Sequence, residues 1–271
     1  MSESPLGNYH MENDVKKTLV TTLCIAGFSA YGVSASAQTG FLDGWTGEGS
    51  LAGSVTTGNT DTTDIGLGLK LEKATDTWGH KFNALWDTGT VDDVSTRRRF
   101  DFGYQIDRNL TDRIYLFGNG DYYKDDFGAF QDGYFVGAGG GYKAILPDPV
   151  SWNLEGGAGF RSQQAQDVFA DDPANPGTDI LTPGLTENEF ALRGFSDFDY
   201  AFNDNVSLYN DTEILWASSD TYIWNEIGLT AKLAGNLSAR ASFRVDHHTD
   251  APVGTESTDT TTRFGIVYSI K

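Results

Sequence analysis

The sequence has almost no cysteine and no long apolar run. Its single cysteine, Cys24, lies near the N-terminus, so the rest of the chain can form neither a disulfide nor a metal site with cysteine ligands. No apolar run reaches the roughly 18 residues that a membrane-spanning helix needs. These absences exclude disulfide-rich secreted domains and helical membrane proteins. They leave open a transmembrane β-barrel, whose strands need an apolar residue only at every second position.

Basic residues are also scarce. Lysine and arginine number 19 against 38 aspartates and glutamates, and the formal net charge is −19. Because no basic stripe is available to neutralise phosphates, nucleic acid is not an expected partner. Three acidic pairs, Asp92-Asp93, Asp125-Asp126 and Asp171-Asp172, match no calcium-loop spacing. We interpret them as solvated loop charges rather than sites for divalent cations, and we expect neither a metal nor a cofactor.

The N-terminal region has the pattern of an export signal. A basic pair, Lys16-Lys17, precedes the mostly apolar residues 18–33, and the small-residue motif Ala35-Ser36-Ala37 follows. This order is typical of a Sec signal peptide cleaved after its Ala-x-Ala site. We therefore predict an N-terminal extension and signal peptide over residues 1–37 and a mature domain over residues 38–271. The alternative is a buried N-terminal helix.

From Trp45 onward the residues alternate in character. Apolar residues or glycines occupy the odd positions from 45 to 55, and polar or small residues occupy the even positions. Leucine and isoleucine at positions 65, 67, 69 and 71 continue the pattern after a turn-rich segment. A period of two predicts β-strands with one apolar face, since a helix would place apolar residues three and four positions apart.

The pattern recurs and predicts an all-β fold, a transmembrane antiparallel β-barrel of about twelve strands in an up-and-down meander. Short connections alternate with longer ones, with only 217–220 breaking the rule, so both termini are expected in the periplasm. The connection 163–186 is interpreted as an extracellular excursion in which prolines and paired aspartates disfavour strand pairing. The strands are expected near residues 45–56, 64–72, 78–87, 99–106, 113–123, 133–144, 151–162, 188–200, 206–216, 221–233, 237–247 and 260–270.

A soluble β-sandwich or lipocalin-like barrel would show the same alternation. The connection lengths and the aromatic residues near strand ends favour a membrane barrel, because interfacial aromatics form girdles there. We therefore expect the bacterial outer membrane as the location, with its lipid and lipopolysaccharide around the barrel. The girdle residues are Trp45, Trp78, Trp86, Tyr142, Trp152, Tyr200, Trp216 and Tyr268.

The polar face carries charges of both signs and would line the lumen. Charges in a small interior must pair with each other or contact water. The pattern therefore favours an ion-paired, structural barrel, with a narrow channel for ions or small solutes as the alternative. In both cases we expect the acidic residues near 197–213 to face arginines. The lumen-facing candidates are Arg99, Glu155, Arg161, Arg193, Asp197, Asp199, Asp211, Glu213, Arg240 and Arg244.

Catalysis has little support in the sequence. The expected mature chain has the histidines His80, His247 and His248. The pair adjoins Asp246 and Asp250, but no nucleophile motif accompanies it. We expect no enzyme and no catalytic residues, and an outer-membrane hydrolase is the weakest of the alternatives.

The segment GWTGEGSLAGSVTTGNTDTTDIGLGLKLEK, followed by WGHKFNALW, resembles the family of salt-induced outer-membrane proteins over residues 43–271. Its most specific part is TTGNTDTTDIGLGL. That family rests on a domain of unknown function, so the resemblance implies an envelope barrel related to salt or osmotic stress and supplies no catalytic residues. Such barrels end on an aromatic residue that the barrel-assembly machinery reads. This chain ends on Lys271, so either that signal is degenerate here or Phe264 and Tyr268 take the role.

Overall fold

The computed structural model describes residues 43–57, 62–91, 94–145, 149–171, 179–252 and 254–271, and the expected signal peptide lies outside them. Across these ranges the regular elements are β-strands, and no helix is long and apolar enough to cross a membrane. The strands are β1 (Thr46–Thr57), β2 (Thr62–Ala74), β3 (Trp78–Val91), β4 (Val94–Asn109), β5 (Ile114–Asp125), β6 (Phe130–Ile145), β7 (Val150–Ala165), β8 (Val168–Asp171), β9 (Asp179–Thr182), β10 (Thr186–Asn203), β11 (Val206–Ala217), β12 (Thr221–Ala234), β13 (Leu237–His248) and β14 (Thr258–Ile270).

Twelve of these strands close into one antiparallel barrel. Successive barrel strands pair in chain order, β7 pairs with β10, and β1 closes the ring against β14, with Gly47 opposite Ile270. Strands β8 and β9 form a separate hairpin within the connection from β7 to β10. Closure leaves no barrel strand with an unpaired edge. The predicted twelve-strand, up-and-down barrel is confirmed.

The two faces of the barrel wall differ as the alternation predicted. Leu51 and Ile266 are cross-strand partners that point outward, and each is 42% exposed. Ser54 and Arg263, which are partners on the same two strands, point inward. An exposed apolar surface of this extent marks contact with a membrane or a partner. Six of the predicted girdle residues are exposed on this outer surface: Trp78, Trp86, Tyr142, Trp152, Trp216 and Tyr268.

One sector of the inner wall is built from glycine covered by aromatic rings. Tyr115 and Phe117 of β5 lie opposite Gly141 and Gly139 of β6, and both rings are buried. A Cβ added at Gly141 would lie 2.0 Å from the Tyr115 ring, and one at Gly139 would lie 2.8 Å from Phe117. The missing side chains therefore create the space in which the rings lie flat against the backbone.

Gly141→Val should destabilise the barrel, because the new side chain would displace the Tyr115 ring and its hydrogen bond to Glu155 (2.8 Å). Overpacking of this kind costs about 1–3 kcal/mol in the free energy of unfolding. The measurement is the temperature at which the folded band disappears on a gel. Gly49→Val is the matched control, since nothing lies within 4 Å of its Cβ position. Equal melting of the two variants would contradict the packing role.

The predicted alternation of connection lengths is largely wrong. Only the connections 166–185 and 249–257 are long, and the other connections between barrel strands span two to four residues. The strands run further than expected because β-branched residues extend them, as where β3 ends at Val91 and β4 begins at Val94. The expectation that 163–186 lacks strand pairing is also wrong. Strand β8 pairs with β9 from Val168 opposite Thr182 to Asp171 opposite Asp179.

Candidate functional site: the barrel lumen

The two rims of the barrel are distinguished by their connections. The rim that carries the start of β1 and the end of β14 is called the termini end, and the opposite rim, with connections 166–185 and 249–257, is called the loop end. Between them the lumen contains a cavity of about 1390 Å³. Its lining runs from Glu48 near the termini end to His248 near the loop end. The charged side chains in this lining make the lumen the candidate functional site.

The structure places every charged residue singled out from the sequence in the lining of this cavity. The register of each strand accounts for this placement, because inward positions recur at every second residue. Their functional role stays a prediction. The residues are Arg99, Glu155, Arg161, Arg193, Asp197, Asp199, Asp211, Glu213, Arg240 and Arg244.

A network around Glu155 of β7 occupies the middle of the lumen. Its carboxylate accepts hydrogen bonds from Arg193 Nη1 (2.7 Å), Tyr115 Oη (2.8 Å) and Gln105 Nε2 (2.8 Å). Arg193 Nε lies 2.7 Å from a carboxylate oxygen of Glu213. Glu155 and Arg193 are buried, so their charges are largely shielded from water. Side chains from five strands thus form one hydrogen-bonded network, in which the charge of Arg193 lies between two carboxylates.

Arg240 and Arg244 pair with carboxylates other than those near 197–213. Arg240 binds Glu48 through two nitrogens, and Arg244 Nη2 lies 2.8 Å from Asp246. The expectation that the acidic residues near 197–213 face several arginines holds only for Glu213 with Arg193. Asp211 instead lies 4.0 Å from Lys70 of β2, a strand on the far side of the ring. The register within one hairpin does not show which strands face each other across the lumen. The sequence therefore could not identify Lys70 as the partner of Asp211.

The half of the lumen near the termini end is open to water. The inward side chains Lys70, Glu72, Asp199 and Lys232 are all exposed. Asp197 accepts a hydrogen bond from Asn153 Nδ2 (3.2 Å) and lies among these groups. Charges in this half are solvated from the termini end, and each ion pair there contributes little to stability.

The half near the loop end is packed. Asp87 is 1% exposed and lies 2.7 Å from Arg263 Nη2. Asp125 is buried as well, 3.3 Å from Arg97 Nη1. The interpretation of Asp125 as a solvated loop charge is therefore wrong, because β5 extends to this residue and turns its side chain inward. Near the loop end the inward charges are therefore largely shielded from water.

Asp220, in the short connection between β11 and β12, is the centre of the packed half. It is 2% exposed, and its carboxylate accepts hydrogen bonds from His248 Nδ1 (2.7 Å) and the Asp250 amide (3.0 Å). Arg161 Nη1 lies 3.6 Å away. Burial alone would raise the pKa of Asp220, but the hydrogen bond and charge of His248 outweigh it and hold the pKa below its ordinary value. The carboxylate is therefore ionised at neutral pH.

Opposite walls of the barrel meet beside Asp220. The rings of Phe130 on β6 and His248 on β13 have centroids 5.0 Å apart, and Tyr222 stacks on the other side of His248 at 4.7 Å. Ser219 holds the connection inward through hydrogen bonds to Glu187 and Glu189. These contacts, here called the loop-end latch, comprise Phe130, Arg161, Asp220, Tyr222 and His248. They connect strands from opposite walls across the lumen at this level.

The histidines are engaged in contacts that explain them without catalysis. His247 Nδ1 lies 2.8 Å from the Thr258 hydroxyl on the outside, and His80 Nδ1 lies 2.7 Å from the Tyr104 hydroxyl. Over the residues that the structure describes, no group of three or more histidine, cysteine or acidic side chains is arranged to hold a metal.

Sequence reasoning missed Asp220, Phe130 and Tyr222. The available signal was the connection 217–220, which stood out as the one short connection on the rim expected to carry long ones. A short connection brings its side chains close to the mouth of the barrel, and an acidic residue there finds arginine partners. Phe130 gave no signal, because it was expected to lie in a loop.

The fold and lumen define a twelve-strand, up-and-down β-barrel with an apolar exterior and a charged interior, the architecture of outer-membrane barrels. The barrel is similar to the NanC porin, with a TM-score of 0.51 at 10% identity, over 81% of this chain and 98% of that chain. The translocator domain of the autotransporter NalP from Neisseria meningitidis matches at TM-score 0.49 and 12% identity, over 94% of this chain and 95% of that chain. At these identities the likeness concerns the fold alone. No curated protein matches the sequence.

The family is identified from the sequence itself. The model of DUF481, described as a protein of unknown function, matches residues 49–270, and the chain belongs to this family. The expected membership in a family of unknown function is thereby confirmed. The association with salt induction stays a prediction.

Proposed function

We propose that this chain is an integral barrel of the Gram-negative outer membrane with a structural or stress-related role in the envelope, and that its lumen is closed at the loop end. In this proposal the signal peptide is removed after residue 37, and the barrel-assembly machinery inserts the mature domain. Outer-membrane lipid and lipopolysaccharide then surround its apolar belt. Salt or osmotic stress is the condition that we associate with it.

The main support for the proposal is the distribution of polarity, which is the reverse of that in a soluble barrel. Outward leucines and aromatics are exposed while inward ion pairs are buried, as with Trp86 at 43% and its neighbour Asp87, the partner of Arg263, at 1%. A soluble barrel would pay a large hydrophobic penalty for this arrangement, because each exposed apolar side chain stays in water. A bilayer removes the penalty, and the girdle residues then lie at its two interfaces.

The loop-end latch supports a closed barrel rather than an open pore. The charges beside it are paired and inaccessible to water, as Asp87 with Arg263 and Asp125 with Arg97 show. A conducting pore needs a continuous water path, and the packed half interrupts it.

The test is heat-modifiable gel mobility of the full chain recovered from outer membranes. A closed membrane barrel keeps its fold in detergent at room temperature and migrates differently after boiling. A chain that is recovered from the soluble fraction and does not shift would overturn the proposal. A large, steady conductance in planar bilayers would overturn the closed-lumen part alone.

A channel for ions or small solutes is the second candidate. The cavity of about 1390 Å³ favours it, because the water-exposed half already forms a vestibule with charges of both signs. The packed half, which includes the loop-end latch, lies between this vestibule and the other rim. Conductance that depends on the latch would support the channel.

A further inference from the structure

The outer face of the barrel has polar side chains in the middle of its apolar belt. On β11 the outward residues between Leu208 and Ile214 are Asn210 and Thr212, and on β12 the residue between Ile223 and Ile227 is Asn225. Ser196 of β10 lies opposite Thr212 on the same face. The four residues Ser196, Asn210, Thr212 and Asn225 are here called the polar seam.

The outer faces of β2 and β13 are apolar over their middle, whereas β14 carries the outward residue Thr262 opposite Phe243. The outward positions of β2 are Ile65, Leu67, Leu69 and Leu71, and those of β13 include Ala241, Phe243 and Val245. Amide and hydroxyl groups in hydrocarbon are costly unless hydrogen-bonded, and in membrane proteins they mark contacts or functional sites. The seam differs from such isolated threonines because its four residues lie together on three neighbouring strands and include two asparagines.

Hydrogen bonds within the wall satisfy only part of the seam. Asn225 Nδ2 donates to Thr212 Oγ1 (2.7 Å), and Asn210 Nδ2 donates to the Glu226 carbonyl (3.3 Å). Thr212 Oγ1 lies 3.5 Å from Asn210 Oδ1. In the part of the chain that the structure describes, no hydrogen bond reaches Asn225 Oδ1, which leaves an acceptor facing outward. A lipid chain offers no donor to this oxygen.

The wall beside the seam allows another molecule to approach closely. Gly140, Gly156 and Gly194 are successive cross-strand neighbours on the outer face of β6, β7 and β10. A Cβ at Gly156 or Gly194 would meet nothing within 4 Å. Small residues of this kind let backbones approach in membrane interfaces, and nearby polar side chains add hydrogen bonds.

We propose that the polar seam is the contact surface for a second copy of this chain, related by a two-fold axis. An asparagine amide is both donor and acceptor, so Asn225 is complementary to its own counterpart across such an axis. Lipid headgroups lie at the membrane interfaces, away from mid-strand residues, and do not fit this surface. The proposal rests on the outer face lying in the bilayer, which is part of the proposed function.

Cysteine cross-linking of the full chain in vesicles of phosphatidylethanolamine and phosphatidylglycerol tests the interface. Cys24→Ser provides a background without native thiols, and Gly194→Cys places one thiol beside the seam. Leu51→Cys on β1 is the matched control, because it is outward-facing but on another part of the ring. We expect oxidation to give a band of twice the chain mass for Gly194→Cys and none for Leu51→Cys. Adding Asn225→Leu should lower the yield of that band by roughly threefold or more.

The possible failures are distinguishable. If every variant keeps its heat-modifiable mobility but neither cysteine gives a dimer, the interface proposal is overturned while the membrane barrel stands. Equal cross-linking of both cysteines indicates random collision and also overturns it, as does a Gly194→Cys product with a protein of another mass. Absence of heat-modifiable mobility in the unmodified chain would instead count against the proposed function.

Discussion

Arg193→Met should lower the free energy of unfolding of the barrel by about 3–5 kcal/mol, the usual loss when one partner of a buried ion pair is removed. Arg193 Nη1 and Nε each lie 2.7 Å from a carboxylate, of Glu155 and Glu213 respectively. The methionine fills the volume between Phe117 and Phe195 but leaves two carboxylates without their shared cation. Urea-driven unfolding in lipid vesicles, followed by tryptophan fluorescence, measures the loss.

Lys81→Met is the control for this prediction. Lys81 Nζ also approaches Glu155, at 3.8 Å, but its side chain is 37% exposed. A pair that is partly in water contributes at most about 1 kcal/mol. If the two variants unfold at the same urea concentration, the network around Glu155 does not depend on a buried charge at Arg193.

Asp220→Ala should open the loop end. Without the carboxylate, Arg161 and His248 lose their common partner, and the contact between β7, the connection 218–220 and β13 weakens. We expect stepwise conductance events at least about tenfold more frequent than in the unmodified protein. Single-channel recording in planar bilayers measures them. Asp126→Ala is the control, because its partner Arg98 is exposed on the outside of the barrel.

Lowering the pH should have the same effect on the unmodified protein as the Asp220→Ala substitution. A carboxylate with a lowered pKa stabilises the closed state fully above the ordinary Asp value of about 3.9, and this contribution is lost as the pH falls through the lowered value. Openings of the unmodified protein should therefore appear only below about pH 4. The frequency for Asp220→Ala should not rise further over that range. An opening frequency of the unmodified protein that does not rise as the pH is lowered from 4 to the point where the barrel unfolds would contradict the role of this carboxylate.

The strands themselves could be predicted closely from the alternation of polarity. The expected strands 206–216 and 237–247 correspond to Val206–Ala217 and Leu237–His248. Alternation works here because one face of each strand must be apolar along its whole length, which fixes the register. Prediction from alternation fails where that constraint ends. In residues 126–132, the polar residues do not show where the turn ends and where β6 begins.

The partners inside the lumen could not be predicted in the same way. The charges that line the lumen can be predicted because they occupy every second position of a strand. Contacts between them depend on how the barrel closes and on the tilt of its strands. The contact of Lys70 with Asp211 joins β2 to β11, and that of Arg161 with Asp220 joins β7 to a connection. Neither pair lies in a single hairpin. The polar seam gives only a weak signal in the sequence, because it occupies two outward positions of β11 and one each of β10 and β12 in otherwise regular strands.

The glycine and aromatic pairing on the inner wall also constrains how this sequence can diverge. Gly141 admits no side chain while Tyr115 covers it, and a smaller residue at Tyr115 would expose bare backbone to the lumen. A single change at either position is therefore harmful, whereas a simultaneous exchange of glycine for a side chain and of tyrosine for a small residue preserves the packing. Within the family, these two positions, which lie on neighbouring strands and 26 residues apart in the chain, should vary together.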